Sequence, residues 1–254
     1  MNQLAATVSK EQSLAELYWK QGYIVLRGLF TAAEIGQWQV ECDRLLQQEW
    51  IDANNIRTPF RMNSTVTPER IDPVVDVSPL FTELVADERL LASLRTIFQD
   101  EVRLFKDKLI FKMPGVDGYT MHQDWAWGWQ DLCAADDILS VSIQIDGADT
   151  DNGGIELFPG YHDRLLTPPG LQTNFRAEEL ALVDPARGEK IATQPGDVLV
   201  FHSLTPHQSG RNSNDRPRRS LYLTYNAARA GDLKGQYYAA YKARTGSGDS
   251  SFFR

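Results

Sequence analysis

Three stretches of the chain hold residue types that could do metal or redox chemistry. The first is MHQDWAWGW, residues 121–129, where His122 and Asp124 stand two apart and are followed by Trp125, Trp127 and Trp129. The second, VLVFHSLTPHQSG (198–210), carries His202 and His207, and the remaining histidine of four, His162, ends FPGYH. The third is RNSNDRPRRS (211–220), a local arginine cluster in a chain of net charge −8. On a strand, residues i and i+2 share a face, so His122 and Asp124 would project together into the interior of a β-rich fold. An unpaired carboxylate there is unfavourable, and a divalent cation compensates it.

Two readings follow. One is a buried His–Asp hydrogen bond. The other is metal ligation, with the third ligand drawn from His162, His202 or His207. Two histidines and a carboxylate, with the rest of the coordination sphere open, suit non-haem Fe(II) and oxygen chemistry. Structural zinc would ask for a closed, thiolate-rich site, and Cys42 and Cys133 lie 91 residues apart; both read as packed thiols. An open iron site needs a co-substrate that supplies electrons. An arginine on the strand after the distal histidine could form a bidentate pair with a carboxylate, which fits the far end of 2-oxoglutarate.

The elements that must hold these residues fall into two kinds. SLAELYWKQ has apolar residues at helical spacing, GYIVLRG reads as a short buried strand, and TAAE (31–34) is a capping box that opens a helix through about Leu46. From Trp50 to Pro79 periodicity is lost among Asn, Thr, Pro and Arg, which reads as a long loop with a functional role. SPLFTELVADERLLASLRTIF then gives one or two helices. After Gln99 come VRLFKDKLIFKMP, YTMHQDWAW, ILSVSIQIDGA, GGIELFPGYH, EKIATQPGDVLVFHSL and RRSLYLTYNA, short segments punctuated by Gly, Pro, Asp and Asn. GDLKGQYYAAYKAR reads as a closing helix, and Gly246–Arg254 as a frayed end.

The expected fold is therefore mainly β with helices (α+β): a jelly roll, the double-stranded β-helix of cupin-like proteins, with the N-terminal helices packed on one face. One domain over 1–254 is expected, helical to about 100, jelly roll over about 101–230, and a helix and tail over 231–254. With 42% apolar residues the chain can bury a sizeable core, and its acidic balance argues against nucleic acid as a partner. No signal peptide and no run long enough to span a membrane is evident, so a cytoplasmic protein without a membrane partner is expected, its oligomeric state undetermined.

MHQDW, DNGGIELFPGYH and PGDVLVFHSLTPHQSGRNSNDRPRRSLYLTYN, in that order, make the chain from about Tyr18 to Tyr241 resemble the phytanoyl-CoA dioxygenase-like family of Fe(II)/2-oxoglutarate oxygenases. The resemblance selects among the histidines. The family's distal ligand begins an H-x-S-G-x-N pattern, so HQSGRN implies His207 as the third ligand beside His122 and Asp124, and Arg218, eleven residues on, as the 2-oxoglutarate arginine. It further implies Ser209 near the same carboxylate, Arg219 as the alternative should register slip by one, and Lys108 and Ser142 as co-substrate neighbours. His202 matches a family histidine that is not a ligand. Halogenating members replace the carboxylate ligand with a small residue; Asp124 therefore implies a hydroxylase rather than a halogenase.

Around this centre, Trp125 or Trp127 would line a substrate pocket or simply pack. Arg61 or Asn63 would reach the substrate from the long loop, or these two and Arg57 would stay solvated. Lys106 and Lys112 read as solvated strand residues, and His162 as a turn residue. The implied cofactors are Fe(II), 2-oxoglutarate as co-substrate and O₂. The implied reaction hydroxylates an unactivated C–H of a small polar metabolite, with decarboxylation of 2-oxoglutarate to succinate and CO₂. FKDKLIFK, HQDW and RRSLYLTYN look most like bacterial members that act on small polar metabolites such as aminophosphonates. The alternatives are oxidative tailoring of an amino-acid-like secondary metabolite, by hydroxylation, desaturation or dealkylation, and, from another class, a non-catalytic cupin-like sensor.

Overall fold

Alternation along the strands decides which side chains can reach a common site. In a computed structural model, which describes residues 13–47, 56–62, 65–168 and 174–246 (backbone only for 56–62, 65–68 and 244–246), the strands form two antiparallel sheets. The larger has the order β1 (Tyr23–Leu26), β8 (Val198–His202), β5 (Ile138–Gln144), β10 (Arg218–Ala227), β4 (Val102–Lys112), β3 (Thr65–Ile71), β2 (Ile56–Met62). The smaller is β7 (Glu189–Lys190), β6 (Ile155–Leu157), β9 (His207–Ser209).

One face of the larger sheet is apolar. Leu109, Phe111, Leu139, Val141, Ile143, Leu221, Leu223 and Tyr225 form a single core with Tyr18 of α1 (Leu14–Gln21), Trp38 of α2 (Ala32–Leu46), Phe81 of α3 (Pro79–Leu84) and Leu94 of α4 (Glu88–Phe98). The opposite parity is polar: Ser140, Ser142 and Gln144 on β5 stand across from Thr224, Tyr222 and Ser220 on β10, and those across from Lys106, Lys108 and Ile110 on β4. The period of two thus puts the helices on one side and a polar interior on the other.

Local signals account for the helices. Ser13 and Thr31 each accept a hydrogen bond from the backbone N–H of the glutamate three residues on, and each glutamate carboxylate accepts one from the cap's own N–H, so both helix starts are capping boxes. The helix opened by TAAE ends at Leu46 as its periodicity predicts. The segment 79–98 resolves into two helices because Asp87, between them, caps the second. A short α5 (Ala177–Leu180) precedes β7, and α6 (Lys234–Gly246) closes the chain. Among the described residues no helix is long and apolar enough to cross a membrane.

Two expectations are corrected. The stretch 50–79 is not one loop: it contains the β2–β3 hairpin, in which Pro59 pairs with Pro68, and β3 joins β4 through Arg70 and Ile71. Nor is YTMHQDWAW a strand. His122 forms an isolated bridge with His207, and the chain then turns into 3₁₀ turns at Asp124–Ala126 and Trp129–Asp131, separated by Gly128 at φ 85°. Asn63 and the tail from 247 to 254 lie outside the described residues, as do the side chains of Arg57 and Arg61.

Candidate metal and co-substrate site

His122, Asp124 and His207 meet between the two sheets. His122 and His207 exchange backbone hydrogen bonds, 3.0 Å in each direction, which sets their imidazoles side by side with centroids 4.2 Å apart. Asp124 reaches the same point through the turn that follows, pinned where the Trp125 N–H donates to the Ser203 carbonyl. Nε2 of His122 and Nε2 of His207 lie 3.7 and 3.8 Å from Asp124 Oδ1, and the three ligand atoms fall within 4.8 Å of one another. The triad therefore assembles, though through a bridge and a turn rather than the i, i+2 face of a strand.

The remaining atoms of these side chains are already committed. Nδ1 of His122 donates to the Thr120 carbonyl at 2.7 Å and Nδ1 of His207 to the Thr205 carbonyl at 2.9 Å, which leaves both Nε2 atoms bare and aimed at the centre. The Ser140 hydroxyl donates to Asp124 Oδ2 at 2.5 Å and leaves Oδ1 to face the imidazoles. Burial, then the neighbouring His122, pushes His207 down to about 4, so its imidazole is neutral at physiological pH. Burial alone would raise the Asp124 carboxyl, but His207, His122 and Lys108 hold it well below the usual carboxylate range. Two imidazole Nε2 atoms and one carboxylate oxygen, arriving from one side, fit an octahedral divalent ion with several positions left open.

A second group of charges lies at the near end of β10. Arg218 is paired across the sheet with Lys112, and both are buried. The Arg218 guanidinium donates to the carbonyls of Asn152 and Gly153 and to the Ser220 hydroxyl; Lys112 Nζ donates to the Gly153 carbonyl and, at 3.0 Å, to Ser209 Oγ. All these acceptors are neutral, and among the described residues no carboxylate forms an ion pair with either cation. Two adjacent buried cations call for an anion. Burial, and next the charge of Arg218, pulls Lys112 down to about 7. Lys112 is thus not a solvated strand residue, and neither is Lys106, whose side chain is 13% exposed and 3.9 Å from Asp72.

The parity of β10 also separates the two arginines. Arg219 faces the helices, held by both oxygens of Asp146 at 2.8 Å and by Asp43 at 2.6 Å. Ser142 lies on the interior face and accepts from Gln144. His202 is engaged elsewhere: its Nε2 is 3.2 Å from Asp136, and its ring lies among Tyr18, Trp19 and His162. His162 ties to the Trp19 carbonyl rather than only serving its own turn.

A cavity of about 340 Å³ opens at the triad, lined among others by Arg70, Lys108, Tyr119, Trp127, Tyr222 and Tyr237. Of the tryptophans, Trp127 meets the His122 ring edge-on at 6.2 Å, Trp125 donates its indole N–H to the Cys133 carbonyl, and Trp129 packs on Phe105. Sequence reasoning missed Ser140, Arg70 and Lys112. The signal for Ser140 and Lys112 was the strand parity itself, which puts both on the face that carries Ser142 and Arg218.

Comparison with known proteins bears on the chemistry such a site could do. The sequence profile described as phytanoyl-CoA dioxygenase (PhyH) matches residues 18–220. The methylphosphonate hydroxylase of Gimesia maris is 31% identical over 227 residues, 87% of this chain and 83% of that protein. The 2-aminoethylphosphonate dioxygenase of an uncultured bacterium is 26% identical over 87% of this chain and 83% of its own. A crystal structure of EctD from S. alaskensis with 2-oxoglutarate and 5-hydroxyectoine superposes with a TM-score of 0.75 at 25% identity, covering 91% of this chain and 79% of that one.

Proposed function

Since the chain belongs to the phytanoyl-CoA dioxygenase family, we propose that it is an Fe(II)/2-oxoglutarate-dependent hydroxylase of a small polar metabolite, with phosphonates the first class to test. His122, Asp124 and His207 are assigned as the iron ligands. Arg218 and Ser209, beside Lys112, are assigned to the distal carboxylate of 2-oxoglutarate. The observation that carries this reading is a three-donor, one-sided triad in the same interior as a buried pair of cations that, among the described residues, has no carboxylate in ion-pair contact.

Iron held by this triad would supply O₂ activation, with O₂ as the oxidant and 2-oxoglutarate giving up two electrons as it is decarboxylated to succinate and CO₂. The chain's own residues do the positioning. Thr120 and Thr205 keep the two imidazoles in the tautomer that presents Nε2. Ser140 turns the Asp124 carboxylate so that one oxygen points inward. The Ser209 hydroxyl, which lies 3.0 Å from the Tyr119 N–H and 3.0 Å from Lys112 Nζ, is set to share a carboxylate with Arg218. Trp127 stands edge-on against the His122 ring and walls that side of the cavity. Asp124 supplies a full carboxylate, which favours hydroxylation over halogenation.

The assignment is tested by incubating the Fe(II)-loaded protein with 2-oxoglutarate, O₂ and a panel of alkyl- and aminoalkylphosphonates and amino-acid conjugates. One hydroxylated product per succinate from a phosphonate is the expected result. Coupled turnover with an amino-acid conjugate alone would move the protein to secondary-metabolite tailoring, and tight 2-oxoglutarate binding without any succinate would make it a sensor.

A further inference from the structure

Lys108 stands apart from the co-substrate cations. It lies four residues from Lys112 along β4, about 13 Å at the usual strand rise, and its ammonium stays on its own rung, 5.4 Å from the ring centroid of Tyr222, its cross-strand partner. A five-carbon diacid held by Arg218 spans only roughly 5 Å. The charges around the two lysines differ accordingly. Lys108 feels Lys106, Arg70 and the Asp124 and Asp72 carboxylates, whereas Lys112 feels Arg218, Asp117 and Glu69.

Among the described residues Lys108 Nζ makes no hydrogen bond and no ion pair, although it lines the cavity at the triad together with Lys106 and Arg70. Its neighbours have carboxylates at hand: Lys106 lies 3.9 Å from Asp72, and Glu69, next to Arg70, accepts from the Tyr119 hydroxyl. An ammonium directed into a cavity, flanked by two further cations and left without an acceptor, is arranged for an anion that arrives with the ligand.

Resting on the oxygenase reading above, we propose that Lys108, flanked by Lys106 and Arg70, is the substrate's oxyanion subsite, and that the substrate is a small molecule with a compact oxyanion head. The head anchors one end of the substrate two rungs or more from the Arg218 end, so that the carbon next to it faces the triad. Phosphonate and carboxylate heads share this chemistry, and the experiment distinguishes them.

The test uses calorimetric titration, under nitrogen, of the full chain loaded with Fe(II) and 2-oxoglutarate. The probes are methylphosphonate, 2-aminoethylphosphonate, acetate and β-alanine. The expected result is binding of at least one of these anions, weakened about tenfold to a hundredfold in Lys108→Met and largely retained in Lys108→Arg, while 2-oxoglutarate affinity changes less than about twofold. Lys106→Met, melted alongside to confirm folding, should weaken the same anion by a smaller factor. A phosphonate preference or a carboxylate preference names the head, and either supports the subsite. Loss of 2-oxoglutarate affinity in Lys108→Met with anion binding intact would overturn the proposal, as would a wild-type protein that takes up iron and 2-oxoglutarate but none of the four anions. Both failures leave the oxygenase reading standing; that reading fails separately, if the wild-type protein takes up neither iron nor 2-oxoglutarate.

Discussion

Replacing Ser140 with alanine removes one hydroxyl and isolates its effect on the metal. Ser140 Oγ donates to Asp124 Oδ2 at 2.5 Å, while Oδ1 stands 3.7 and 3.8 Å from the two imidazole Nε2 atoms. Without the donor the carboxylate can rotate about its Cβ–Cγ bond and loses the preference for presenting Oδ1 inward. A hydrogen bond to a charged group contributes about 1.5–3 kcal/mol, and Ser140 is 3% exposed, so bulk water does not replace it freely. Loss of an outer partner of a metal ligand lowers affinity by roughly 10–100-fold, and the two magnitudes agree. The assay is competition for Co(II), an oxygen-tolerant stand-in for Fe(II), against a chromogenic chelator at pH 7.5, with melting curves of the apoprotein to confirm that the fold is intact. An affinity within about twofold of wild type would refute the idea that Ser140 orients the carboxylate.

Two further outcomes follow from the packing and the charges. A Cβ at Gly118 would overlap the backbone carbonyl oxygen of Ser209 and lie 2.6 Å from that of Gly210; Gly118→Ala should destabilise the protein by about 1–3 kcal/mol or more, lower its melting temperature, and weaken 2-oxoglutarate binding more than Co(II) binding. His202, 1% exposed, is pushed down to about 4, first by burial and then by His162. The unfolded chain therefore takes up a proton near pH 6.5 that the folded protein refuses, so this contribution is complete above that pH and is lost as pH falls toward 4, roughly 3 kcal/mol in all; urea unfolding at pH 7.5 and 5 should show a flatter pH dependence in His202→Gln than in wild type.

Much of the site was legible in the sequence because the HQSGRN pattern and the eleven-residue step to Arg218 are local, and because alternation in RRSLYLTYNA puts Arg218 and Arg219 on opposite faces. The helices were legible through their capping boxes. The β2–β3 hairpin was not, since its paired prolines, Pro59 and Pro68, remove ladder donors and imitate a loop. The alternating tryptophans imitated a strand, but Gly128 and the Asp124 turn break the period. Lys112 read as solvated because lysine on a strand usually marks the wet face; here the polar face is the interior, and only the cross-strand pairing with Arg218 reveals it. Strand parity puts Ser140 on the interior face with Ser142, but its partner Asp124 lies 16 residues away and nothing local marks that contact.

The most direct test of the account is the yield of succinate from 2-oxoglutarate by the Fe(II)-loaded protein in air, compared with His207→Ala and Asp124→Ala under the same conditions. Iron-dependent succinate formation is expected from the wild-type chain, and none above background from either variant. Succinate formation at the wild-type rate in both variants would contradict it.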